Sequence, residues 1–191
     1  MKDRIENIGF LKGVALLFAV GFLLGVGVFL GFKERLAEYS NQFYNNVIEN
    51  ITSYEIEYKV LLKNVIQTEF RSFFLLILFG ISIVSIPALI VFPIYKGFVG
   101  GFLLSSMFCK FSWKAILIGS LYGFPQILFY LPVMVSILHK NYYIGIHGLK
   151  KKLFLEQLPS LAVLACILLA GCVSEAYINA RIMHYILSAI L

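Results

Sequence analysis

Long stretches of this chain carry no charge: Gly13 to Phe32, Ser72 to Tyr95 and Ala115 to Leu138 contain neither acid nor base. Charged residues make up 14% of the chain and hydrophobic ones 60%, where a soluble domain has about 25% and 45–50%. That scarcity excludes an ordinary soluble fold, and runs of this length suit the ~18–20 residues that cross a bilayer as a helix. Cysteine is sparse too. Cys109, Cys166 and Cys172 are odd in number and form no C-x-x-C pair, which excludes a disulfide framework and leaves buried thiols. His139, His147 and His184 are scattered, without H-E-x-x-H or comparable spacing, so no metal site is expected. P-loop, Ser-x-x-Lys and Gly-x-Ser-x-Gly patterns are missing. Too few polar residues are left to assemble a nucleophile, a base and oxyanion donors in one pocket. The chain therefore reads as a non-enzymatic membrane protein, with no catalytic residues, no metal and no cofactor.

Base exceeds acid, with 16 Lys and Arg against 10 Asp and Glu. In a membrane chain such cations flank the spans and meet anionic head groups. The motifs of nucleic-acid proteins are missing, so the expected contact is membrane lipid and not nucleic acid. The length of 191 residues accommodates one compact bundle without a separate soluble domain of normal size. The expected fold is an all-α integral membrane protein, a single domain over 1–191, with about five transmembrane helices. These fall at 13–32, 72–95, 97–113, 115–138 and 158–178. The first resembles a signal peptide, but it is too long for an h-region and lacks an A-x-A cleavage site, so it reads as retained. Lys96 closes the second. Segment 97–113 is the shortest. It crosses with Lys110 and Lys114 snorkelling, or enters and turns back, and crossing is the reading adopted.

Between the first two spans lies the only long polar stretch, 33–71, read as an extracytoplasmic pair of amphipathic helices. Leu36, Tyr39, Phe43 and Val47 step by three and four, the spacing of one helical face. Thr52 and Glu55 form a capping-box pattern, and a second apolar row runs through Tyr58, Leu61, Leu62 and Val65. The break between the helices is expected at Asn50 to Ser53. Tyr39, Phe43, Tyr54 and Tyr58 are the candidate partner-binding residues. The other reading has this pair cover the bundle's own end. Lysine and arginine counts tie between the two faces, so density decides. The Lys150–Lys152 cluster in a short connection puts the N-terminus in the cytoplasm and the C-terminus outside the cell membrane.

Polar and small residues inside the spans carry the remaining signal. Glycines recur four apart at Gly21/Gly25, Gly27/Gly31, Gly97/Gly101 and Gly119/Gly123, the pattern that lets membrane helices approach closely. The pairs pack within one chain or between two copies of a homo-oligomer, and the sequence leaves both open. Pro125 removes a backbone donor and frees the carbonyl of Leu121, and Gln126 beside it offers donors and an acceptor. The plain reading is a kinked helix whose Gln126 stitches two helices together. The sharper one is a broken helix lining a substrate path, as in a small transporter or channel subunit. Glu175 sits late in an apolar run, where a carboxylate needs protein or water beside it. With the N-terminus inside, its depth-matched partners are Lys110, Lys114 and Arg71, and Lys96 lies on the opposite side.

Three stretches together, GISIVSIPALIVFPIYKGFVGGF (Gly80 to Phe102), the Pro125-Gln126 pair and SEAYI (Ser174 to Ile178), resemble the stage II sporulation protein M family. The likeness covers nearly the whole chain, long first loop included. It implies a membrane scaffold of the mother cell that acts with two peptidoglycan-degrading proteins, stage II sporulation proteins D and P. Septal wall is thinned there as the membrane migrates around the forespore during engulfment. The family brings no catalytic residues with it. It also includes members in bacteria that do not sporulate.

Overall fold

A computed structural model describes residues 2–53, 57–81, 85–147 and 151–190, and every regular element among them is helical. The elements are α1 (Lys2–Gly31), α2 (Lys33–Ser53), α3 (Tyr58–Ile81), α4 (Ser85–Phe111), α5 (Lys114–Pro125), α6 (Leu131–His147), α7 (Lys151–Val173) and α8 (Ala180–Ile190). Two π-helical segments interrupt the series, Gln126–Tyr130 between α5 and α6 and Ser174–Asn179 between α7 and α8. Gly9–Gly31, Pro87–Phe111 and Leu158–Ile186 are each long and apolar enough to cross a membrane. Lys114–Leu121 and Gly123–Tyr143 qualify as one pair bent by 46°.

Two expected boundaries move. The run 72–95 is not one helix: its first part ends α3 and its second part opens α4. Segment 97–113 is not a separate crossing either, because α4 continues through Lys96 to Phe111. Pro93 lies inside α4 without ending it, as membrane helices tolerate where neighbours satisfy the freed carbonyl. The second amphipathic helix is likewise not a separate element. From Tyr58 it runs into the apolar stretch as α3, 24 residues, about 36 Å at 1.5 Å per residue. Thr52 lies within α2, which extends to Ser53; Tyr54 and Glu55 lie outside the described residues.

The packing follows from where side chains are absent. A Cβ on Gly21 would sit 2.1 Å from the Ile94 carbonyl oxygen, and one on Gly25 2.1 Å from that of Phe98. In return, Gly97 and Gly101 face the carbonyl oxygens of Phe18 and Phe22, each 2.2 Å from where a Cβ would be. Two of the glycine pairs thus mesh with each other inside one chain, backbone against backbone. Residue numbers rise together along both helices, so α1 and α4 run parallel. The other pairs are not used this way: Gly27 and Gly31 face open space, and Gly119 and Gly123 meet only flexible side-chain ends.

The remaining directions follow from contacts at the two ends. Near the start of α1, Phe10 packs on His139 and Tyr142 of α6, with ring centroids 5.2 and 5.3 Å apart. Lys140 donates to the Ser160 hydroxyl there, at 2.7 Å. At the far end, Tyr44 of α2, Met107 of α4, and Ala115 and Ile118 of α5 form a small buried cluster with Met183 of α8 against it. Hence α5 and α6 run against α1, and α7 and α8 run with it. Helix α3 also runs against α1, with Tyr58 stacked on Tyr177 (5.6 Å) and Asn141 donating to the Leu76 carbonyl (2.8 Å) towards the opposite end. The turn from α4 to α5 is tight. Ser112 adopts φ 49°, its N–H reaching the Phe108 carbonyl at 3.0 Å. Trp113 there is 80% exposed, flanked by Lys110 and Lys114 as interfacial anchors are.

Candidate functional site

The main core is built by Phe73 and Leu76 of α3, Leu89 of α4, Val133, Met134, Ile137 and Leu138 of α6, and Leu168 of α7. Tyr130 and Cys172 belong to the same core, and they are the polar edge of a group of ionisable side chains. Tyr130 ends the first π segment and Glu175 lies in the second. The Tyr130 hydroxyl donates to Glu175 Oε2 at 2.6 Å, a length typical of a charge-assisted bond. The Cys172 thiol lies within hydrogen-bonding reach of the same hydroxyl. Glu69 of α3 is within electrostatic reach of both Lys96 and Glu175. Glu69 is buried, 8% exposed, and its Oε2 has no hydrogen-bond partner among the described residues. Lys96 also stands over the Phe92 ring, 5.8 Å from its centroid.

The two π segments account for this convergence. Pro125 has no N–H to continue the α ladder. Gln126 N–H turns to the Gly123 carbonyl instead, and Leu131 N–H reaches back five residues to the Gln126 carbonyl. Five residues from buried Pro125 to buried Tyr130 overshoot a turn of α-helix, whereas a π turn absorbs the extra residue and returns Tyr130 to the inner face. The second segment does the same, with Ala180 N–H on the Glu175 carbonyl. Gly171 makes the room: a Cβ there would lie 2.6 Å from Tyr130 Cε1 and 2.7 Å from Phe129 Cβ.

The depth of the group follows from the glycine mesh. Gly97, next to Lys96, meets α1 at Phe18 and Phe22, the middle of the Gly9–Gly31 span. Lys96 is therefore mid-span, not at an inner surface as its place at the end of an uncharged run suggested. It shares its carboxylate neighbour with Glu175 instead of lying on the opposite side. Of the partners expected for Glu175, Lys110 donates to Asn45 Oδ1 at 2.6 Å and Arg71 is exposed, while the bond that Glu175 Oε2 accepts comes from Tyr130. Gln126 is half-buried, and Asn141 and Tyr130 make side-chain hydrogen bonds between helices in this bundle. Pro125, Gly97 and Gly101 are buried as packing positions.

The aromatic set divides. Tyr39 and Phe43 are exposed on α2, at 72% and 59%, while Tyr58 packs on Tyr177 and Tyr54 lies outside the described residues. Helix α2 is anchored from its other side: Tyr44 Oη and Ser106 Oγ are 2.7 Å apart, and Ser40 Oγ donates to the Ser106 carbonyl at 3.3 Å. Burial holds the Tyr44 phenol above its ordinary pKa, and the Ser106 hydrogen bond opposes the shift.

Sequence reading missed Glu69, Tyr130, Asn141 and Gly171; of the thiols expected to be buried, Cys172 is buried and Cys166 is exposed. A signal existed for Glu69 alone, in its position just before an uncharged run, and it was absorbed into the polar loop. Residues 14–179 match the family model described as stage II sporulation protein M. No curated protein and no solved structure matches the chain.

Proposed function

The chain belongs to the stage II sporulation protein M family, and from that premise we propose that it is a non-enzymatic scaffold in the membrane of a sporulating cell. It holds peptidoglycan-degrading partners, stage II sporulation proteins D and P, at the septum during engulfment. The observation that carries this reading is the division of α2. Its Ser40/Tyr44 side is tied to α4, and its Tyr39/Phe43 side is uncovered. Exposed aromatics on a firmly docked helix are suitable anchors for another protein. Replacing Tyr39 and Phe43 with serine should abolish co-purification of the partner and leave membrane insertion intact. Undiminished co-purification by that variant overturns the reading.

In this arrangement the chain crosses the membrane with α1, α3, α4, the α5–α6 pair and the α7–α8 pair, and α2 lies on the outer face. The parallel course of α1 and α4 supports α3 as a crossing, because the chain must return before α4 begins. The N-terminus is then cytoplasmic and the C-terminus outside, with the Lys150–Lys152 cluster on the inner side. Cysteine accessibility labelling at both ends tests it.

One observation favours a second reading, a small transporter or channel subunit. Ionisable groups at span depth commonly mark ion or substrate paths, and Glu69, Lys96 and Glu175 are more than a stitched bundle requires. Liposome flux that depends on Gln126 and Glu175 would support it; absence of flux together with pull-down of a wall hydrolase supports the scaffold.

A further inference from the structure

We propose that Glu69 is a proton-binding site inside the bundle, its carboxylate taking one exchangeable proton on Oε2. The site is built and incomplete. Glu69 is 8% exposed and Oε2 is buried without a donor among the described residues. A carboxylate oxygen left so in a membrane protein carries a desolvation cost that only a hydrogen, a cation or water removes.

No donor among the described residues reaches Oε2. The Tyr130 O–H is spent on Glu175 Oε2, and Cys172 lies against that same hydroxyl. Arg71 is two residues along α3 and exposed, and positions i and i+2 of a helix do not share a face. Lys96 of α4 is the cation in reach, and Glu175 is in reach as well, so two carboxylates answer to one ammonium. One bound proton removes the uncompensated charge. It comes from the aqueous phase: an O–H bond forms at Oε2, hydronium loses that proton, and nothing is oxidised or reduced. A metal ion is the poorer occupant, because no group of three or more His, Cys, Asp or Glu that could hold one occurs among the described residues. Lys96 already places a cation there. Proton occupancy then sets how strongly α3 is held to α4.

The inference rests on neither functional reading, since its test observes proton binding rather than partner retention or flux. The full chain in lipid nanodiscs is titrated over about pH 4 to 9 by infrared difference spectroscopy. The expected result is a reversible protonated-carboxyl C=O band that is lost in Glu69→Gln. Its midpoint moves in opposite senses in Glu175→Gln and Lys96→Met, because one removes a like charge and the other an opposite charge. A wild-type chain with no titrating carboxyl band in that range overturns the proposal without reference to any variant. So does a Glu69→Gln spectrum identical to wild type, or a band that follows sodium at fixed pH instead of pH.

Discussion

Replacing Gly97 with alanine puts a methyl carbon 2.2 Å from the Phe18 carbonyl oxygen and 2.9 Å from Phe22 N. Backbone cannot rotate away as a side chain can, so α1 and α4 must separate by about 1 Å to restore an ordinary contact. A gap of that size forfeits a quarter to a half of each atom pair's attraction. Over on the order of 40 pairs at ~0.1–0.2 kcal/mol each, the loss is ~1–4 kcal/mol. Alanine also gains up to about 1 kcal/mol of helix propensity over glycine, so the comparison must cancel that gain. Gly27→Ala does so, because its Cβ would meet nothing within 4 Å. Unfolding of the detergent-solubilised full chain should therefore show Gly97→Ala less stable than Gly27→Ala by ~1–4 kcal/mol. Gly21→Ala demands the same separation of the same two helices, since its Cβ would lie 2.1 Å from the Ile94 carbonyl oxygen. The double variant should then cost clearly less than the two single costs together, because the gap opens once. Equal stability of the Gly97 and Gly27 variants, or strict additivity of Gly21 and Gly97, refutes the meshed interface.

Tyr130→Phe removes the donor to the part-buried Glu175 Oε2 and should cost ~1 kcal/mol in the same unfolding assay, at the low end of the penalty for stranding an acceptor; an unchanged midpoint would show the bond to be dispensable. Gly171→Ala drives a methyl into the Tyr130 ring and Phe129 Cβ and should destabilise by ~1–3 kcal/mol, the range for overpacking, with Tyr130→Ala relieving part of it if the clash is the cause. Tyr44 has a folded pKa above its ordinary 10.0, so its contribution to stability is whole below pH 10 and is lost as pH rises through the folded value. An ultraviolet titration of tyrosinate should show a late-ionising component absent from Tyr44→Phe; identical curves for the two proteins would contradict the buried contact with Ser106.

Which parts were readable from sequence depends on what each signal measures. Uncharged runs gave the first span and the α5–α6 segment closely, because those stretches are apolar on all sides. The same signal failed at Lys96 for a physical reason: counting charges treats a lysine as a surface, and a lysine beside a buried carboxylate is not one. Once Lys96 ended a span, the α3–α4 boundary had to be misplaced, since Ser72 to Tyr95 then looked continuous. Glu69 was lost with it, assigned to the solvent by the polar company it keeps in sequence. The glycine pairs were legible as a class. Choosing Gly21/Gly25 and Gly97/Gly101 over Gly27/Gly31 required knowing which helices meet, which no spacing within one helix encodes.

Pro125 and the SEAYI stretch illustrate the other limit. Proline announces a disturbed ladder, and a carboxylate in an apolar run announces a partner, but neither says in which direction its helix is turned. That direction is set by the extra residue of each π segment. Without the first, Tyr130 would rotate off the face that continues through Val133, Ile137 and Asn141, all buried. The second segment carries Glu175, which meets that hydroxyl three residues beyond buried Cys172. Two irregularities on different helices thus have one geometric result, a phenol aimed at a carboxylate between closely packed backbones. A π segment is rare and commonly accompanies a functional site. Two of them joined by a 2.6 Å hydrogen bond argue that the group around Glu69 is a feature this fold maintains, and not a by-product of bending at proline.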